Sequence, residues 1–80
     1  MFERTCKIYE VFTYKNEGDG EPFTRTTSTR KADALKVARH YAPQYWRVEV
    51  NALYYNADDE NDIFGADLVA AWENGKKTTK

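Results

Sequence analysis

A chain of 80 residues leaves room for one small domain, near the lower limit at which a core supports itself, and excludes a second. Hydrophobic residues at 41% and aromatics at 15% exclude a disordered polymer, although 31% of the residues are charged. A formal net charge of −1 argues against a generic nucleic-acid or membrane-surface binder, whose affinity comes from a basic surplus.

Taken in order, Thr5 to Tyr14 (TCKIYEVFTY) is β-branched and aromatic and predicts a strand, with Cys6, Ile8, Phe12 and Tyr14 on one face and Tyr9 and Val11 on the other. Apolar residues on both faces suggest a central strand. Lys15 to Pro22 is dense in turn formers and carries Glu17, Asp19 and Glu21, so it predicts the loose polar loop of a hairpin whose second strand is Phe23 to Thr27. Ser28 and Thr29 offer a side-chain oxygen to the first N–H groups of a helix, Asp33 suits its first turns, and Pro43 ends it. Within that helix of about three turns, Ala34, Leu35, Val37, Ala38, Tyr41 and Ala42 share one side, while Arg30, Lys31, Lys36, Arg39 and His40 point elsewhere.

Tyr45 to Tyr55 is the clearest strand, with Trp46, Val48, Val50, Ala52 and Tyr54 on one face and Arg47, Glu49 and Asn51 on the other. Asn56 to Asp62 (NADDEND) predicts an acidic loop. Ile63 to Glu73 fits either a short helix from Asp67 to Asn74-Gly75 or a strand with Phe64, Ala66, Leu68, Ala70 and Trp72 on one face; the sustained alternation and the cost of Gly65 in a helix favour the strand. From about Gly75 the polar, basic GKKTTK predicts a flexible tail.

These pieces predict an α+β fold, a single antiparallel four-stranded sheet (β-β-α-β-β) in the order 2-1-3-4, with one helix packed on one face. The opposite face and both edges are left partly bare, which makes a homodimer through an edge feasible. Tyr9, Tyr45 and Tyr55 are the tyrosines expected to be exposed. The two acidic loops fall at opposite ends of the sheet.

An inventory of reactive groups predicts no enzyme, no cofactor and no metal. Ser28 is the only serine and His40 the only histidine; placed at the start and near the end of one helix, they lie beyond hydrogen-bond reach of each other, which excludes a Ser-His-Asp triad. Cys6 is the only cysteine, so no intrachain disulfide or cysteine-rich zinc site is available, and a reducing cytoplasm fits. The acids Asp58, Asp59, Glu60 and Asp62 lack the buried pocket that splits carboxylate pKa values for acid/base work. In an EF-hand register with Gly65 at the sixth position, Phe64 falls where a ligand is needed. No Walker loop or dinucleotide fingerprint is present. No run approaches the roughly 20 apolar residues that span a bilayer, and Met1 to Thr5 lacks the layout of a secretory signal. The expected location is therefore the cytoplasm, without membrane contact.

A polar hairpin loop, then Phe23-Thr24, a helix with Ala34, Leu35 and Ala38, and a strand with Val48 and Val50 resembles very small bacteriophage inhibitor proteins. Two groups are similar: anti-CRISPR proteins that inhibit type I surveillance complexes, and the small phage inhibitor of bacterial RNA polymerase, the latter from Ala34-Leu35 through Pro43 into the third strand. The likeness covers Phe23 to Val50 and transfers no site residue. It implies a protein that acts in a bacterial host cell by occupying a partner's surface.

The resulting expectation is a non-enzymatic protein–protein inhibitor, an anti-CRISPR that binds a type I CRISPR surveillance complex and blocks target DNA access as a DNA mimic. Glu17, Asp19, Asp58, Asp59, Glu60 and Asp62 are the candidates for steering toward a lysine-rich DNA path, and Tyr54 and Tyr55 for anchoring. Two alternatives keep the fold. One makes RNA polymerase the target. The other is direct nucleic-acid binding through Arg30, Lys31, Lys36 and Arg39 on the basic helix side.

Overall fold

The computed structural model describes residues 5–56 and 59–79, with side chains over 7–55 and 65–79. The elements in chain order are β1 (Thr5–Tyr14), β2 (Thr24–Ser28), α1 (Lys31–Tyr41), β3 (Arg47–Asn56), β4 (Asp59–Glu73) and β5 (Lys76–Lys77). The strands form one antiparallel sheet of five in the order β2-β1-β3-β4-β5, so the α+β class and the 2-1-3-4 arrangement stand and the strand count rises by one.

The added strand comes from Asn74-Gly75. Both residues adopt positive φ, 52° and 80°, the conformation that a tight two-residue hairpin turn requires and that Asn-Gly adopts most readily. The chain therefore turns back, Lys76 and Lys77 pair with Glu73 and Trp72, and Thr78 N–H donates to the Ala71 carbonyl at 2.8 Å. The segment expected to fray is docked on the sheet edge.

Two further boundaries move. Ser28 belongs to β2, opposite Tyr9, and the helix starts one turn later with Arg30 at the N-cap and no side-chain capping hydrogen bond. Threonine-rich chain favours the strand, and pairing with β1 outcompetes the cap. The expected acidic loop is also shorter than its composition predicts: Asn56 ends β3, and Asp59, Glu60 and Asp62 lie on β4, while Asp58 lies outside the described residues. Residues 63–73 are strand, as the alternation favours.

The core forms where α1 crosses β1 and β3. Val11, Thr13, Val48, Val50, Ala52 and Ala70 are buried on the helix side, met by Ala34, Ala38 and Ala42 from the helix. Each valine contributes about 1.5–3 kcal/mol by leaving water. Tyr9 is only 9% exposed and belongs to this core, contrary to the expectation that it faces solvent. Thr13 is polar and fully buried, but its hydroxyl pairs with that of Thr24 and accepts the Thr24 N–H at 3.1 Å, so no buried polar atom is left unsatisfied there.

Candidate functional site

The register between β1 and β3 sets the geography of the charged segments. Tyr14 stands opposite Arg47 and Thr5 opposite Asn56, so the β1–β2 loop leaves one end of the sheet and the β3–β4 turn the other. Glu17 and Asp19 are thus separated from Asp58, Asp59, Glu60 and Asp62 by the length of the sheet, in a molecule whose longest dimension is 46 Å. The predicted site residues are not one surface; they are two poles.

At the first pole, the loop is shaped by one of its own acids. Asp19 Oδ2 accepts the Asn16 N–H at 2.9 Å, Asp19 N–H donates to the Asn16 carbonyl at 3.2 Å, and Gly18 supplies the positive φ of 88° that the turn needs. Glu17, Asp19 and Glu21 are all exposed. Among the described residues the ion pairs are those of Arg47, so these three carboxylates carry uncompensated charge. Phe23 stands next to them at 58% exposure, with its ring centroid 5.9 Å from that of Tyr45, which in turn meets Tyr41 edge-on at 5.6 Å. Lys15 Nζ lies 5.1 Å from the Phe23 centroid.

At the second pole, β3 and β4 run beyond the part of the sheet that the helix covers. Tyr54 is half-buried rather than free: it faces Gly65 across the strands, and Lys7 Nζ lies 5.3 Å from its ring centroid and 5.5 Å from that of Tyr9. The phenol oxygens of Tyr9 and Tyr54 hold the Lys7 ammonium above the usual lysine range. Tyr55 is half-buried and, one residue on, lies on the opposite face of the sheet, paired with Cys6 and Ile63. The two predicted anchors therefore point in opposite directions, and one partner surface cannot take both in the same way.

The strand side that no helix covers carries a polar cluster in its middle. Arg47 Nε donates to Glu49 Oε2 at 2.7 Å and Arg47 Nη1 lies 3.4 Å from Glu73 Oε1, which strengthens the guanidinium's hold on its proton. Tyr14 donates its hydroxyl to Glu49 Oε1 at 3.5 Å; partial burial first, and then the Glu49 carboxylate, raise its pKa. Beside this cluster Arg25 stacks over Phe12 at 5.4 Å. The residues are tied to one another, which is a structural use of charge.

Sequence reasoning missed two exposed apolar side chains, Phe23 and Leu68, the latter 50% exposed. Leu68 was assigned to the core side because alternation carries Leu68, Ala70 and Trp72 together. The register shifts between Val50 and Asn51: Ala70 opposes Val50, Leu68 opposes Asn51, and Val69 is the extra residue of a bulge. Leu68 is thereby turned to the uncovered face. The signal available for Phe23 was its place directly after Pro22, at the strand's mouth, where little chain is at hand to cover it.

The basic alternative survives as geometry: Arg30, Lys31, Lys36 and Arg39 are all exposed, the last three on α1. His40 is exposed too, its ring edge-on to Tyr41 at 5.4 Å. Among the described residues no three His, Cys, Asp or Glu side chains converge on a point suited to a metal ion, and no helix is long and apolar enough to cross a membrane. Compared with protein-family models, curated proteins and solved structures, the chain matches none.

Proposed function

We propose that this protein is a non-enzymatic inhibitor that binds a basic, DNA-handling surface of a bacterial protein complex, with a type I CRISPR surveillance complex as the favoured target and denial of target DNA as the outcome. The observation that carries this reading is the placement of uncompensated acid at both poles of one rigid sheet. Glu17, Asp19 and Glu21 stand at one end, and at the other a run from Asn56 to Asp67 contains five acids and no base. A positively charged groove would be met at two separated points, which favours orientation and rapid association over deep burial.

Tyr55 and the exposed Phe23 are the anchors that fit this arrangement, each beside one acidic segment, whereas Tyr54 is committed to Gly65 and Lys7. Affinity capture tests the target. Tagged protein is passed through lysate of bacteria expressing a type I complex, and retention of that complex's subunits supports the reading. Retention of RNA polymerase alone moves the target to transcription, and nuclease-sensitive retention moves the function to the basic helix face. Charge reversal at both acidic poles abolishes capture if electrostatic docking is the mechanism.

A further inference from the structure

β2 is the outermost strand on its side of the sheet, and among the described residues it pairs with β1 alone. Its other row of N–H and C=O groups faces outward. Edge strands are commonly protected by proline, inward-pointing charge, lysine or a bulge. Thr24-Arg25-Thr26-Thr27-Ser28 contains no proline and no lysine, and its pairing with β1 runs without a register shift. We propose that β2 pairs antiparallel with β2 of a second copy of this chain, joining two five-stranded sheets into one across a two-fold axis. This inference goes beyond the inhibitor reading and does not depend on it.

Symmetry and charge select the register. A two-fold axis relating antiparallel edges stands perpendicular to the sheet, so both helices lie on the same side and opposed residues share a face. The axis then passes through one residue that opposes itself. Centred on Arg25, the pairing sets two guanidinium groups directly opposite each other, which is repulsive. Centred on Thr27, it leaves Thr24 and Arg25 without a β2 partner. Centred on Thr26, it pairs Arg25 with Thr27 and Thr24 with Ser28, so that every residue of the strand is matched. Threonines are then the central cross-strand pair, a favourable combination.

The same register is complementary at its ends. Counting outward from Thr26, Glu21 approaches the point where Arg30 and Lys31 of the second copy begin the helix, and symmetry repeats the contact. Glu21, Arg30 and Lys31 are exposed, and among the described residues the ion pairs are confined to Arg47. Charge therefore selects the occupant: a second copy brings base to acid twice over. The exposed Phe23 ring falls beside Thr29 of the second copy, which gives it cover that the single chain lacks.

Sedimentation of the full chain over a concentration series tests the association. The expected result is a reversible monomer–dimer equilibrium. Lys31→Glu weakens it about tenfold by replacing two rim attractions with repulsions, and Glu21→Lys combined with Lys31→Glu restores it. Register is read by cross-linking in a Cys6→Ser background, with folding verified by circular dichroism. Thr26→Cys places two Cα atoms about 4.5–5.5 Å apart across the axis, within disulfide range, whereas Arg25→Cys places its copies about 7–8 Å apart. A disulfide-linked dimer from Thr26→Cys and little from Arg25→Cys supports the interface. A monomer at every concentration overturns it. So does a dimer that ignores Lys31→Glu, or one that cross-links as readily through Arg25→Cys.

Discussion

Tyr54 fills the space that Gly65 leaves open. The two are cross-strand partners in the β3–β4 hairpin, and a Cβ on Gly65 would come within 3.4 Å of Tyr54 Cδ2. An aromatic side chain over a strand glycine replaces packing that the glycine cannot supply.

Substitution at either partner exposes this relationship. Tyr54→Ala is expected to cost about 1 kcal/mol, the loss of a cross-strand aromatic contact. Gly65→Val costs a similar amount because its branched side chain has to displace the ring. Urea unfolding measures both; a Gly65→Val protein as stable as the parent would place the ring elsewhere.

The Asn74-Gly75 turn makes a separate prediction. Gly75→Ala puts a Cβ on a residue with φ of 80°, a conformation that costs other residues roughly 1 kcal/mol. The loss spreads to β5 and to the bonds of Thr78 and Thr79 with Ala71. Thermal unfolding should show a lower midpoint, and limited proteolysis should cut earlier after Lys76 or Lys77. An unchanged cutting pattern would mean that the tail is held by something other than this turn.

Tyr14 predicts an alkaline weakness. Its hydroxyl ionises above the ordinary tyrosine value of about 10, because burial and the neighbouring Glu49 carboxylate both disfavour the phenolate. Between the ordinary value and the raised one, the unfolded chain has released this proton and the folded chain still holds it. Stability therefore falls as pH rises through that window and is unaffected by this group below it. Tyr14→Phe should flatten the alkaline limb of a melting-temperature profile relative to the parent. Parallel profiles would contradict the assignment.

Much of this fold was legible because periodicity reports burial directly. The helix stripe of Ala34, Ala38 and Ala42 and the strand row of Val48, Val50 and Ala52 are core residues in the positions that spacing assigns them. The failures have local causes. Ser28 carries a good capping hydroxyl, but a tertiary pairing with β1 outweighed it. The bulge at Val69 reverses which side Leu68 faces, and a bulge leaves little trace in a run of alternating residues. Lys76-Lys77 has no apolar pattern to mark it as strand; only the Asn-Gly turn before it carries the signal. For the candidate site, the acids were visible in composition. That Tyr54 is spoken for and Phe23 is not depends on Gly65, Lys7 and the position of the loop, which are relationships in space.

The central claim is that this protein denies DNA to a basic surface. The most direct measurement is a mobility-shift competition in which a purified type I surveillance complex binds its target duplex in the presence of increasing protein. The account predicts that the shifted DNA disappears near one equivalent of protein per site. It also predicts that reversing Glu17, Asp19, Asp58, Asp59, Glu60 and Asp62 to lysine restores the shift while the variant remains folded by circular dichroism. Undiminished DNA binding at saturating parent protein would contradict the claim.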